Sequence, residues 1–344
     1  MNCLLSHWLS RGIEHHKPAL TKPTRMAAIT TLLALCSAAL PWTAQAQPLP
    51  PGPITLVVPF AAGSGTDAVA RIVAQKLAER LQQPVLVDNK PGASAQLAAQ
   101  AVARAKPDGS TLFMTTNTSH SANPHLFASL RYDPVKDFTP ITRVGELPFA
   151  LAVHPALPVR SLKDLIDLAR AQPGKLSYAT PNSTSLVASE TIKRIAKLDM
   201  VGIPYKSSPQ ALTDLMSGQV QVYVVDLGSG GAVLRSDKVR ALGITTAAPS
   251  KLLPGVPPIA QTVPGFDLTS WNGIVGPAGL PKPVVDKLNA EILAVLADRE
   301  VQDKLAPLGF EVWPSASPEA FAVYVAEQLA HWGLLIKAAG IKPE

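Results

Sequence analysis

The sequence predicts an α/β protein built from two lobes. Short apolar, β-branched runs alternate with longer segments of helical periodicity, an order typical of parallel sheets with helices on their faces. Residues 47–344 exceed the length that one hydrophobic core usually supports. We therefore expect two α/β lobes joined by a hinge, with a ligand cleft between them.

The first 46 residues have the features of a secretory signal. A basic segment precedes an uncharged apolar run over residues 26–40, and Ala44-Gln45-Ala46 then forms a small-x-small cleavage site. The apolar run is shorter than the ~20 residues that span a bilayer. We expect residues 1–46 to be removed and the mature protein to lie in the periplasm; a membrane anchor or a disordered tail is the alternative.

Charge and cysteine content exclude several classes of function. Residues 1–46 hold four of the 31 Lys and Arg residues, one of the 25 Asp and Glu residues and both cysteines. The mature chain therefore has a net charge of +3, too small for a nucleic-acid partner. It also lacks a thiol nucleophile and any cysteine metal ligand, and its histidines show no metal-ligand spacing. We expect no metal, no cofactor and no enzymatic activity.

Residues 47–150 are predicted to form the first part of lobe 1. An apolar run ending at Pro59 gives a strand at 54–58, and apolar residues at 69, 73 and 77 give a helical face. The remaining elements of this part follow from the same two signals. They are a helix over 67–81, a strand at 84–87, a helix over 95–105 and a strand at 110–114.

Residues 151–270 are predicted to form lobe 2, after a crossing segment near 149–153. Ser161 and Asp164 form a capping box that opens a helix through residue 170. The other predicted elements of lobe 2 are strands at 176–179, 201–205, 220–225 and 239–244, and helices over 185–196 and 209–216.

Residues 271–344 are predicted to return to lobe 1. A strand over 268–275 leads into helices over 282–296 and 318–337. These helices need a sheet to cover, and we expect them to cover the sheet of the first lobe. Two crossings between the lobes place the hinge near Leu151 and Ser270.

The loop after the first strand is the sharpest candidate for a binding site. Free N–H groups at a helix start, together with glycines that admit a close approach, suit a carboxylate or a phosphate. A tight turn capped by Ser64 or Thr66 explains the same residues equally well. The candidate ligand-binding residues of this loop are Phe60, Ala62, Gly63, Ser64, Gly65, Thr66 and Asp67.

A second turn, over residues 89–95, repeats this arrangement. Both turns follow parallel strands and so should lie on the same rim of the sheet. Gly92, Ala93 and Ser94 are its candidate binding residues, although a plain Pro-Gly turn is an alternative. Asp226 ends an apolar strand and either faces the cleft or caps the next turn.

Ordered short motifs run through the whole mature chain. These motifs are Pro59-Phe60 through Gly65-Thr66-Asp67, Asn89-Lys90-Pro91-Gly92-Ala93, Lys106-Pro107-Asp108-Gly109, Asn123-Pro124, Tyr132-Asp133-Pro134-Val135-Lys136-Asp137-Phe138, Pro173-Gly174-Lys175-Leu176, Val201-Gly202-Ile203-Pro204-Tyr205-Lys206, Asp214-Leu215, Gly218-Gln219-Val220, Arg240-Ala241-Leu242 and Pro277-Ala278-Gly279. In these motifs and their order, the sequence resembles the Bug family, the solute-binding proteins of tripartite tricarboxylate transporters.

The resemblance implies a type II periplasmic binding fold that closes around a small organic carboxylate. It implies that the first two loops hold the carboxylate, and that the membrane subunits of a transporter are the partners. The other lobe would meet the far end of the ligand through Thr180, Asn182, Ser183, Thr184, Tyr205 and Asp226.

The chain departs from the family pattern at three places. Ser64 interrupts a usual triple glycine, Ala93-Ser94-Ala95 stands where glycines are usual, and Leu186 stands about where a histidine is common. The far-end groups are mostly neutral, and Asp226 would repel a second carboxylate, so a monocarboxylate or a polar-tailed acid is expected to bind better than citrate.

These features together predict a periplasmic receptor, expected to be monomeric, that delivers a carboxylate to a transporter of the tripartite tricarboxylate type. An extracytoplasmic hydrolase and an accessory that presents ligand to a membrane sensor are the alternatives.

Overall fold

The computed structural model describes residues 49–344, and the predicted signal segment, residues 1–46, lies outside them. No helix within residues 49–344 is long and apolar enough to cross a membrane. Two β-sheets, each flanked by helices, make up the described chain.

The first sheet has six strands within the described residues. Their bounds are β1 Ile54–Val58, β2 Val85–Asn89, β3 Thr111–Thr116, β4 Phe138–Leu147, β10 Ser270–Pro277 and β11 Glu311–Val312. The order across the sheet is β11-β4-β10-β3-β1-β2. Strand β1 pairs in parallel with β2 and β3, as the sequence predicts, whereas β10 runs antiparallel to β3 and β4.

Helices flank both faces of the first sheet. The helices of this part of the chain are α1 Gly65–Leu81, α2 Gln96–Ala103, α3 Asn123–Leu126, α8 Lys282–Ala297, α9 Arg299–Leu305 and α10 Pro318–Ala339. Ser64 caps α1, because its hydroxyl accepts from the N–H of Asp67. A π-helical turn, Thr118–Ala122, joins β3 to α3.

The second sheet has five strands within the same described range. The bounds are β5 Phe149–Val153, β6 Ser177–Thr180, β7 Val201–Pro204, β8 Val222–Asp226 and β9 Arg240–Ile244. The order across the sheet is β7-β6-β8-β5-β9. Strand β6 is parallel to β7 and β8, and β5 is antiparallel to β8 and β9.

The helices of the second sheet begin at polar caps. These helices are α4 Leu162–Ala171, α5 Ser183–Ala196, α6 Ser208–Met216 and α7 Leu227–Leu234. The predicted capping box of Ser161 and Asp164 is present at the start of α4. Asn182 and Ser207 cap the next two helices, and Asp226 caps the last.

The chain changes sheet at Pro148 and at Thr269. Strand β4 ends at Leu147 and β5 begins at Phe149, so the segment predicted as a crossing is instead a strand. Its five consecutive apolar residues are buried and pair with neighbours on both edges. The domain boundaries at 150/151 and 270/271, and the hinge motion, stay predictions.

Helix α10 packs against both halves of the molecule. Its first half places Phe321 in a cluster with Trp271 of the first sheet, and its second half places Trp332 and Ile336 in the core of the second. The helices after Pro281 are expected to cover the sheet of the first lobe; α10 also packs against the core of the second sheet, because its 22 residues are long enough to reach both cores.

Candidate functional site

A cavity of about 590 Å³ lies between loops of the two sheets. Loops after β1 and β2 contribute from the first sheet, and loops after β6 and β7 contribute from the second. The carboxyl ends of strands are the usual place for ligands in open α/β sheets. Eight of the predicted site residues line this cavity: Phe60, Gly92, Ala93, Ser94, Thr180, Asn182, Ser183 and Tyr205.

The loop after β1 is held by a buried carboxylate. Asp67 accepts hydrogen bonds from the N–H of Gly63 at 2.9 Å, from Nδ2 of Asn89 at 2.9 Å and from Nε of Arg71 at 3.0 Å. The N–H of Gly63 and the Asp67 side chain are therefore engaged within the loop. Ala62, Gly63 and Asp67 line neither this cavity nor the narrow pocket beside it.

The start of α1 faces a narrow pocket of about 20 Å³ that shares Phe60 and Asn182 with the cavity. Helix starts leave their first N–H groups without intrahelical partners, and the Ser64 hydroxyl takes only that of Asp67. The backbone donors at Gly65 and Thr66 are thus available to an anion. Predicted residues that line this narrow pocket are Phe60, Ser64, Gly65, Thr66, Asn182, Thr184 and Asp226.

The second turn has an unusual backbone. Gly92 has φ +126°, and Ala93, Ser94 and Ala95 follow with φ of +45°, +50° and +70°. Positive φ in a non-glycine residue costs free energy and is found where the surroundings fix the conformation. Such turns direct successive N–H groups to one side and form anion-binding concavities. The Ser94 carbonyl is fixed in turn by Nδ2 of Asn123 at 2.8 Å.

Hydroxyl groups predicted to meet the ligand are used to join the two sheets. Nδ2 of Asn117 donates to Oγ of Ser183 at 3.2 Å and to Oγ1 of Thr184 at 3.0 Å. Thr118 shares a hydrogen bond of 2.8 Å with Ser183, and the Ser270 hydroxyl donates to Oδ1 of Asn117. All five side chains are buried. We call these five residues the polar seam.

Asp226 caps α7 and does not line the larger cavity. Its carboxylate accepts from the N–H and the hydroxyl of Ser229, at 2.7 and 2.6 Å. Burial raises the pKa of Asp226, although the bonds from Ser229 act in the opposite direction. The structure therefore favours the role of Asp226 as a helix cap. The Asp226 carboxylate also lies against Gly65, at the start of α1.

Comparison with known proteins identifies the family. Residues 69–341 match TctC, the tripartite tricarboxylate transporter family receptor. The chain belongs to this family. It is 38% identical over 302 residues to a UPF0065 protein of Bordetella bronchiseptica, a match that covers 87% of this chain and 89% of that protein.

Two solved structures share the fold of this TctC-family chain. The R. palustris protein Rpa4515, solved with adipate, is 34% identical with a TM-score of 0.83 and covers 86% of this chain and 99% of its own. The periplasmic binding protein BugD is 32% identical with a TM-score of 0.81, covering 86% and 100%. The predicted family and the predicted α/β fold of periplasmic binding proteins are confirmed.

Several cavity residues of this TctC-family receptor were not predicted from the sequence. Leu186, Glu190 and Lys193 line the cavity from one face of α5, and their i, i+4, i+7 spacing was a usable signal. Tyr178 donates to Glu190, and Lys193 Nζ lies 2.9 Å from the same carboxylate. No sequence signal indicates Lys342, which lines the cavity from the segment after α10.

No histidine lies among the described residues that line the cavity. His120 is fully buried, its Nδ1 lies 2.5 Å from Oγ1 of Thr115, and burial lowers its pKa to about 3. It lines neither the cavity nor the narrow pocket. Across residues 49–344, no three His, Cys, Asp or Glu side chains are grouped to hold a metal ion.

The buried carboxylate of Asp67 makes stability depend on pH. Burial raises its pKa, but the hydrogen bonds from Arg71, Gly63 and Asn89 outweigh burial, so the net pKa lies below 3.8. The depressed pKa stabilises the fold above about pH 3.8, and this contribution is lost as pH falls through the folded-state value.

We expect Asp67→Asn to lower the free energy of unfolding by about 1–3 kcal/mol at pH 7, and the deficit to shrink below pH 4. Chemical unfolding of both proteins between pH 3 and 7 measures it. The exposed Asp237→Asn serves as the control. A deficit that stays constant across this range would contradict the assignment.

Proposed function

We propose that this protein is a periplasmic solute-binding receptor, acting as a monomer, that captures a small organic carboxylate and delivers it to the membrane subunits of a tripartite tricarboxylate-type transporter. The observation that carries the proposal is the pair of donor-rich loops after β1 and β2, which lie beside a cavity closed by loops of the second sheet. Adipate in the related Rpa4515 supports the carboxylate assignment.

The side chains that line the cavity support binding without catalysis. Among its described lining residues there is no histidine or cysteine, and Glu190 is bonded to Tyr178 and Lys193. A hydrolase needs a nucleophile beside a general base.

Thermal and calorimetric titration with carboxylates tests the proposal. A carboxylate at a hundredfold excess over its Kd should stabilise the protein by ~2.7 kcal/mol. The matched control is the corresponding amide, such as adipamide beside adipate, because it keeps the shape and removes the charge. Equal binding of acid and amide, or hydrolysis of an ester of the bound acid, would contradict a carboxylate receptor.

A further inference from the structure

Much of the cavity lining is apolar and aromatic, and both sheets contribute to it. Seven large side chains share this character: Phe60, Leu126, Phe127, Tyr178, Leu186, Tyr205 and Ile341. Aromatic side chains offer large contact areas and prefer stacked or edge-to-face partners.

The polar ends of the two tyrosines are already engaged by the protein. The Tyr178 hydroxyl donates to Glu190, and the Tyr205 hydroxyl donates to Asp214 at 2.9 Å. Burial and the bond to Asp214 raise the pKa of Tyr205 to about 12, so it stays neutral. Because Tyr178 is only 2% exposed, the ring surface that these two residues offer to a ligand comes mainly from the half-buried Tyr205.

The charged lining residues are either paired with each other or exposed to water. Glu190 and Lys193 neutralise each other at 2.9 Å. Lys206, Lys342 and Glu344 are exposed, so their charges are screened by water.

Neutral polar side chains of the lining also have partners within the protein: the Thr180 hydroxyl donates to the Ile203 carbonyl at 3.2 Å, and Oδ1 of Asn182 accepts from the N–H of Ser185. A short hydroxylated acid would therefore find few free side-chain partners for its polar groups, which costs free energy.

The size of the cavity also favours a ligand with a large apolar part. About 590 Å³ lies in the range of sites for ligands of drug size, which bury most of their surface. A four-carbon acid held at the loops would leave the remaining apolar surface covered only by water. A ligand with a ring system would displace that water and gain hydrophobic stabilisation.

We propose that the preferred ligand is an aromatic carboxylate, with its carboxylate at the loops after β1 and β2 and its ring against Phe60, Leu186 and Tyr205. This inference rests on the proposed receptor function and names its substrate class. It narrows the expectation of a monocarboxylate or a polar-tailed acid, because Leu186 presents a hydrocarbon surface to the cavity.

Calorimetry with five probes separates the aromatic assignment from the proposed receptor function. Benzoate and 2-naphthoate should bind at least about tenfold more tightly than malate and adipate. Benzamide should bind more weakly than benzoate, because it lacks the charge. If no acid binds better than its amide, the receptor proposal fails. If acids bind but malate or adipate equals the aromatic acids, only the aromatic assignment fails.

A near-isosteric polar change tests the contact itself. Leu186→Asn should weaken 2-naphthoate binding about tenfold and leave adipate binding within about twofold. Leu334→Asn is the matched control, since Leu334 is 68% exposed and lies outside the cavity. Phe127→Leu provides a second test if Leu186→Asn does not fold, with the same selective loss expected. An equal loss for both ligands would overturn the inference.

Discussion

Gly65→Ala is expected to weaken carboxylate binding at least about tenfold while the protein still unfolds cooperatively. A Cβ at Gly65 would clash with Oδ1 of Asp226 and lie 2.7 Å from Cδ2 of Leu147. Gly228 makes the same approach from the other side, since its Cβ would lie 2.6 Å from the Gly65 Cα. Because two hydrogen bonds from Ser229 fix the Asp226 carboxylate, we expect a methyl group at Gly65 to move the start of α1 away from the start of α7.

Titration calorimetry measures the loss of affinity, and small-angle scattering measures whether the two halves of the protein move apart. We expect the radius of gyration of the variant to exceed that of the wild type when ligand is present. Ala62→Val is the control, because Ala62 is exposed on the same loop and lines neither cavity. Wild-type affinity and an unchanged radius in Gly65→Ala would show that closure does not depend on this contact.

Elements with local signals were predictable from the sequence. Helix α4 was predicted over 161–170 and is Leu162–Ala171, because both partners of its capping box lie within one turn. Strand β4 was not predicted. It contains Pro140, Arg143 and Gly145, and its pairing with β10 joins residues that are far apart in sequence. A pattern search within a short window does not detect such a strand.

Arg143 and Trp313 illustrate the same limit at the level of side chains. Arg143 is buried, donates to the carbonyl of Trp313 at 2.7 Å and places its guanidinium carbon 3.7 Å from the centre of that ring. Trp313 itself is 54% exposed. Tryptophan side chains are usually well buried. Trp313 is exposed because it directly follows β11, the strand at the edge of the first sheet.

In the candidate site, too, local features were predictable from the sequence and long-range contacts were not. Glycine-rich turns after parallel strands are local features, and both predicted loops do lie at the cavity or at the narrow pocket. The hydrogen-bond partners of individual side chains, by contrast, lie far away in the sequence. Ser183 and Thr184 were predicted to contact the ligand, yet their hydroxyls are bonded to Asn117 and Thr118, which lie more than sixty positions away in the chain.

The polar seam gives the largest expected effect on stability. Asn117 contacts three hydroxyl groups, those of Ser183, Thr184 and Ser270, and all of these residues are at most 7% exposed. Truncation to alanine would leave buried donors and acceptors without partners, each costing about 1–3 kcal/mol. Because the groups are coupled, the costs should not simply add.

We therefore expect Asn117→Ala to lower the free energy of unfolding by about 2–4 kcal/mol, as measured by urea denaturation. Asn289→Ala is the matched control: Nδ2 of Asn289 makes one bond of 2.8 Å, to the carbonyl of Ile141, at a partly buried site remote from the polar seam. The free energy of unfolding of Asn289→Ala should fall by about 1 kcal/mol. Binding should also weaken in Asn117→Ala alone, since the seam joins the two sheets beside the narrow pocket, which Thr118, Thr184 and Ser270 line. Equal losses of stability in the two variants would mean that the seam residues find other partners, and that Asn117 does not hold the sheets together.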